Sequence, residues 1–326
     1  MGREPRALDE GGAMIAFWFP GQGSQARGML DPFIHRPEVR ATLEEASELL
    51  GWDMEALIRE NPEGKLDRTE FTQPALFATS IALWRVWQAE GGPAPQHVAG
   101  HSLGEWTALV VAGVLDFADA LKLVAVRAQA MAEAVPAGAG AMSALLGLDD
   151  AAVEAVCAEA SSEAARVWAA NYNAPGQVVI AGDAEAVERA EQLARARGAR
   201  RVVRLRVSVP SHTPRMAPAQ ARLGDAMAQA RWRDATVPVW SNVDAAPHTA
   251  ASEIRDLLLA QLVRPVRWAQ LVRAMRKAGV VAAVEMGPGN VLAGLARRIE
   301  RGLTTYTLPD EAALRAAVAA LNEEGR

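Results

Sequence analysis

The sequence predicts an α/β protein in which a large domain built on a parallel sheet is interrupted by a small inserted domain. Three observations carry this. Short apolar runs bounded by glycine and proline alternate with longer segments of helical periodicity, the pattern of β-α units. The stretch VPAGAGAM (135–142) has the small-residue composition of a hinge. Beyond it the chain reads strand, helix, strand, strand, helix, strand, the order of a ferredoxin-like motif. The expected divisions are a loose N-terminal extension over 1–13, a large domain over 14–137 and 208–326, and the small ferredoxin-like domain over 138–207.

Each element follows from local pattern. MIAFWF from Met14 reads as a buried strand, broken by Pro20-Gly21 and followed by a glycine-rich loop. Residues 36–60 and 72–90 carry helical periodicity, with Asp67 and Thr69 in the turn between them. HVAG (97–100) ends a strand. From Leu103 onward, Trp106, Leu109, Val110 and Val114 recur at helical spacing, and a long helix is expected from about 116 to 135. In the small domain, MSALLGL (142–148) reads as a strand and 149–165 as a helix. VWAANYN and GQVVIAG pair around Pro175-Gly176, then come a helix over 184–198 and a strand in ARRVVRLRVS. After Pro210 helices are expected over 216–230, 251–262, 268–278 and 291–301, with strands in VPVWSNV and VVAAVEMG.

At 326 residues, half of them apolar and 22% charged, the chain can bury a large core. A formal net charge of −5 argues against a nucleic-acid partner. The single cysteine, Cys157, excludes an internal disulfide framework and fits a reducing, cytoplasmic compartment. It lies in the helical pattern AAVEAVCAEA and reads as a small core residue. No stretch approaches the roughly 20 apolar residues of a membrane span. WTALVVAGVL is cut off by Asp116, and the polar first thirteen residues hold no apolar signal core, so neither a membrane nor export is expected.

The chemistry concentrates in VAGHSLGEWTAL (98–109). Ser102 sits on a strand-to-helix turn between Gly100 and Gly104 in the pattern G-x-S-x-G. Such a turn pushes the hydroxyl above the sheet edge and aims the following N–H, that of Leu103, at an oxyanion, as in hydrolase-like folds. The helix N-terminus behind it favours negative charge. A glycine-rich turn with a capping serine is the plain alternative. A serine nucleophile needs a base, and the chain has five histidines, at 35, 97, 101, 212 and 248. His212, in SVPSHTPRM, lies on a loop held by Pro210 and Pro214, where catalytic groups tend to sit. His101 neighbours the serine, but successive side chains on such a turn point apart, and His248 reads as a surface turn residue.

Eight segments occur in one order: FPGQGSQ (19–25), GHSLGE (100–105), VRAQAM (126–131), NYNAPGQVVIAG (171–182), SVPSH (208–212), SNVDAAPHT (241–249), PVRW (265–268) and GPGNVLAGL (287–295). Together they resemble the malonyl-CoA:acyl-carrier-protein transacylase family of fatty-acid and polyketide synthesis, over nearly the whole chain. The resemblance implies that Ser102 attacks the thioester of malonyl-CoA with His212 as base, and that the oxyanion sits between the N–H groups of Leu103 and Gln22. It implies a malonyl-serine ester, passed on to the phosphopantetheine thiol of an acyl carrier protein. It also implies that the backbone carbonyl of Gln261, rather than an acid, orients His212, and that Arg127 holds the free carboxylate of malonate.

A guanidinium offers a planar fork to a carboxylate and stays charged in a partly dry pocket, although VAVRAQAMAEA would also suit an ordinary helix-surface arginine. Ser211, before the histidine, resembles the discrete malonyl-using members. Asn171 and Asn173 would line the site from the small domain, and a turn role at a strand end suits them equally. Glu105 is favourably placed for the helix dipole and receives no chemistry. RARGARRVVRLR (195–206) holds six arginines that would steer an acidic carrier protein and the phosphates of CoA. No metal or organic cofactor is expected beyond the CoA thioester as substrate, and the chain is expected to act as a monomer. The transacylase subunit of malonate decarboxylase, a trans-acting polyketide acyltransferase and a serine hydrolase or thioesterase remain open alternatives.

Overall fold

The computed structural model describes residues 14–207 and 209–324. The expected loose extension over 1–13 lies outside the described residues. The chain opens with β1 (Met14–Phe19), α1 (Pro37–Leu50), α2 (Met54–Glu60), α3 (Thr69–Ala89), β2 (His97–Gly100), α4 (Gly104–Val111) and α5 (Phe117–Glu133). A second group follows: β3 (Gly140–Leu146), α6 (Asp150–Ala160), β4 (Val167–Ala174), β5 (Gln177–Asp183), α7 (Ala184–Ala196) and β6 (Arg201–Arg204). The rest comprises α8 (Ala217–Met227), β7 (Val239–Trp240), β8 (Pro247–His248), α9 (Ala251–Ala260), α10 (Trp268–Lys277), β9 (Val280–Glu285), α11 (Val291–Ile299), β10 (Thr304–Thr307) and α12 (Glu311–Glu324).

The strands form two sheets. The larger has the order β10-β9-β1-β2-β7-β8, and every pair is parallel except β7 with β8. The smaller is antiparallel throughout, in the order β4-β5-β3-β6. Its first strand lies between its third and fourth, the ferredoxin-like arrangement that the β-α-β-β-α-β order predicts. β1 shows why the large sheet is covered on both faces. Its alternating side chains divide between two cores: Ile15, Phe17 and Phe19 face α3, α4 and α5, while Ala16 and Trp18 face α10 and α11. Phe17 meets Trp84 and Trp87 edge-on at 5.5 and 5.4 Å, and Trp18 meets Trp268 at 5.6 Å. Each such pair adds about 0.5–1.5 kcal/mol beyond its buried area.

The helical stretch expected over 36–60 is two helices. Gly51, in the left-handed region at φ 76°, ends α1, and the Asp53 carboxylate caps α2 by accepting from the N–H of Ala56 at 2.9 Å. VPVWSNV keeps only Val239 and Trp240 in the sheet, because the chain leaves it at Ser241. The short edge strands β8 and β10 were not expected. Cys157 is buried in α6, and desolvation pushes its thiol up to about 12, as suits a core residue. Among the described residues, no helix is long and apolar enough to cross a membrane.

Candidate active site

The site lies beyond the carboxyl ends of β1, β2 and β7, where parallel α/β sheets present their loops. Phe19 pairs with Gly100, so the loops after β1 and β2 leave the sheet side by side, and the His101 N–H donates to the Phe19 carbonyl at 2.9 Å. Ser102 itself takes the strained left-handed conformation, φ 54°. The flanking glycines serve close approach instead. A Cβ on Gly100 would lie 1.8 Å from the Gly104 carbonyl carbon, and one on Gly104 1.9 Å from the Phe19 oxygen. Asn242, fully buried just beyond β7, ties the turn. Its Oδ1 accepts from the Ser102 N–H and its Nδ2 donates to the Gly100 carbonyl, both at 2.7 Å.

Ser102 Oγ lies 2.8 Å from His212 Nε2, and His212 Nδ1 lies 2.8 Å from the Gln261 carbonyl. A carbonyl can only accept, so the proton sits on Nδ1 and leaves Nε2 free to take that of the serine. His212 also has positive φ, 62°, and is 3% exposed. Burial, and secondarily the Arg127 cation, hold its pKa down to about 3, so the imidazole is neutral at pH 7.

Arg127 enters from α5, 1% exposed. Its Nη2 donates to Ser102 Oγ at 3.2 Å and to Gln261 Oε1 at 3.1 Å, and its Nη1 donates to Gln73 Oε1 at 2.5 Å. Its Nε has no partner, and none of the ion pairs among the described residues involves this guanidinium. Burial lowers its pKa to about 10, which leaves it charged at neutral pH. A buried cation facing a serine–histidine pair, with neutral amides as its only fixed partners besides the serine, is arranged to receive an anion from outside the protein.

The structure brings Ser102, His212, Arg127 and Gln261 together. Leu103 follows the serine at the start of α4, whose N-terminus faces this edge. The loop bearing Gln22 crosses the turn so closely that a Cβ on Gly21 would lie 2.4 Å from the His101 carbonyl oxygen, and the Gln22 side-chain Nε2 donates to Thr69 Oγ1 at 3.0 Å. Asn173 Oδ1 lies 2.7 Å from His101 Nε2, whose ring packs on Trp268. Asn171 is buried in β4 and pairs along its backbone with Val266. Ser211 turns its N–H to the Val209 carbonyl at 2.8 Å. All six arginines of 195–206 are exposed; Arg197 pairs with Glu159, and Arg204 with Glu191 at 2.6 Å.

A family model described as an acyl transferase domain matches residues 16–319. The chain belongs to the acyl transferase family. This acyl transferase is 50% identical, over 305 residues, to the malonyl CoA-acyl carrier protein transacylases of Salmonella typhimurium (strain LT2) and Escherichia coli (strain K12). Each alignment covers 93% of this chain and 98% of the relative. The solved malonyl CoA-acyl carrier protein transacylase of Coxiella burnetii superposes with a TM-score of 0.93 at 45% identity, covering 95% of this chain and 98% of that one. A malonyl-transacylase solved in complex with a type II PKS acyl-carrier protein matches with a TM-score of 0.92 at 46% identity, covering 94% of this acyl transferase and all of that chain.

Gln73 and Asn242 contribute to the site without having been singled out in the sequence. Gln73 is fully buried in α3, but it stands beside Thr72 and Pro74 in a helix with several other polar residues, so its pattern alone does not mark it. Asn242 lies within SNVDAAPHT, but its contact spans 140 residues of sequence and no local pattern announces it.

Proposed function

We propose that this chain transfers a malonyl group from malonyl-CoA to the phosphopantetheine thiol of an acyl carrier protein, through an ester on Ser102. The observation that carries the substrate choice is Arg127, a buried cation 3.2 Å from the nucleophile oxygen with no carboxylate hydrogen-bonded to it among the described residues. Glu105 acts on it only through space, from the far side of the Gln261 amide. The relatives, identical at half of the aligned positions, bear the matching name.

In the first half-reaction Ser102 Oγ attacks the thioester carbonyl while its proton passes to His212 Nε2. The oxyanion is held by the N–H groups of Leu103 and Gln22. The tetrahedral intermediate collapses, the C–S bond breaks, and the CoA sulfur leaves as His212 returns the proton. Gln261 keeps the imidazole in the required tautomer through both steps. The carboxylate of the bound malonyl group pairs with Arg127 and offsets the charge that holds down the basicity of His212. In the second half-reaction the carrier thiol gives its proton to His212 and attacks the ester, and Ser102 leaves with that proton. No metal or organic cofactor takes part. We assign the enzyme to the cytoplasm as a monomer. The carrier docks against Arg195, Arg200, Arg201 and Arg206, which have no ion-pair partner among the described residues.

The test supplies malonyl-CoA with and without phosphopantetheinylated carrier protein and follows both acyl carrier and free malonate. Malonyl carrier protein is the expected product. Free malonate at the same rate with or without the carrier would favour a hydrolase and overturn the assignment.

A further inference from the structure

The two residues that hold the reacting groups lean on a single carboxylate oxygen. Asn242 fixes the nucleophile turn, and Gln261 fixes the base through its carbonyl. Glu105 Oε2 accepts from the Gln261 amide at 2.7 Å and from the Asn242 backbone N–H at 3.2 Å. Glu105 stands on the first turn of α4, three residues after Ser102, and is 2% exposed. A carboxylate serving only the helix dipole would do so from the surface, where it pays no desolvation cost. Here desolvation pushes the carboxyl up to about 7.

The chemistry of the Gln261 side chain makes this acceptor necessary. Its Oε1 must face the Arg127 donor at 3.1 Å, so its Nε2 must point to acceptors, and Glu105 supplies the shortest contact, ahead of the Ser102 carbonyl at 3.0 Å and Asn242 Oδ1 at 3.3 Å. With the amide flipped, two donors would oppose each other beside Arg127. The backbone of the same residue carries the carbonyl that orients His212, so any shift of this amide reaches the base directly. We propose that Glu105 is a positioning residue for acyl transfer, whose Oε2 fixes the Gln261 amide and the Asn242 backbone and thereby sets the Ser102–His212 geometry.

The proposal rests on the Ser102–His212 chemistry set out above, and its test is separable from the malonyl assignment. Phenylmethanesulfonyl fluoride requires no malonyl group: Ser102 Oγ forms a bond to sulfur, the S–F bond breaks, fluoride leaves and His212 takes the proton. Glu105→Ala is expected to slow this reaction and kcat for malonyl transfer by roughly 30–100-fold, the scale of a misplacement near 1 Å, with KM for malonyl-CoA changed less than about threefold. Glu105→Gln keeps an acceptor oxygen and recovers most of the rate, while it melts lower because it brings a buried amide donor. Gln261→Met retains the backbone carbonyl and loses the amide. It is expected to match the kcat loss of Glu105→Ala, and the double variant to fall well short of additivity.

A Glu105→Ala enzyme sulfonylated at the wild-type rate, a Glu105→Gln enzyme as slow as Glu105→Ala, or an additive double variant would each overturn the proposal. If Glu105→Ala fails to fold, Glu105→Asp decides. It keeps a carboxylate but withdraws it by one methylene, and a sulfonylation loss of less than about threefold would refute the role. A wild-type protein that sulfonylates yet accepts no malonyl group would instead refute the substrate assignment.

Discussion

Arg127→Ala removes a guanidinium that is 1% exposed and lies 3.2 Å from the nucleophile oxygen. If this cation receives the malonyl carboxylate, its loss leaves that anion buried without a partner. Breaking a buried ion pair in this way costs about 3–5 kcal/mol, consistent with about 4 kcal/mol for unit charges 4 Å apart at an effective dielectric near 20. At 1.36 kcal/mol per decade, this is roughly a 150- to 5,000-fold loss in kcat/KM for malonyl-CoA. Acetyl-CoA brings no carboxylate; it loses the contact between Arg127 and Ser102 Oγ, about 1.5 kcal/mol or roughly tenfold, and shares with malonyl-CoA the loss from freeing the Gln261 amide. The malonyl-over-acetyl preference is therefore expected to fall by at least about tenfold. Single-turnover acylation of the enzyme by each thioester, read by intact-protein mass spectrometry, measures both losses. Equal losses for the two substrates would refute the pairing and leave Arg127 a structural residue.

The pH dependence of acylation follows from His212. With its pKa held down to about 3 by burial and by Arg127, kcat/KM is expected to lack an acid inflection at the ordinary histidine value of 6.5, and a clear inflection there would contradict the buried, cation-flanked imidazole. Glu105 acts on stability with the opposite sign. Its carboxyl binds a proton more tightly folded (about 7) than at its ordinary value of 4.5, so the native state loses stability as pH rises from about 4.5 through 7. Glu105→Gln removes that titration, and the melting advantage of wild type over this variant should shrink between about pH 5 and 8; a constant or widening gap would refute the burial argument. Cys157, buried with its thiol pushed up to about 12, should resist iodoacetamide in the native protein at pH 8 and react only in denaturant, as mass mapping would show.

The sequence made the fold legible wherever one segment carried its own pattern. β1 alternates between two apolar cores and announces itself as a buried strand, and the change of rhythm after Val135 marks the second sheet. The two-residue β8 escaped because it has too few residues for a period to show, and β10 because TTYT offers no apolar run or alternation against a core. Ser102 was visible because the glycines that flank it stand in one contiguous motif; the close approach at Gly100 is local, to Gly104, whereas Gly104 is required by Phe19 of the neighbouring strand. The roles of Asn242, Gln73 and the Gln261 side chain were not visible. They arise from contacts 140, 54 and 156 residues apart, which exist only once β2 and β7, α3 and α5, and α4 and the end of α9 have come together.

Brief incubation with malonyl-CoA, proteolysis and mass mapping, followed by a chase with phosphopantetheinylated carrier protein, tests the acyl-enzyme route most directly. The expected result is a malonyl group on Ser102 that disappears as malonyl carrier protein accumulates, with no adduct in Ser102→Ala. An adduct that persists in Ser102→Ala, or malonyl carrier protein formed by that variant at the wild-type rate, would contradict it.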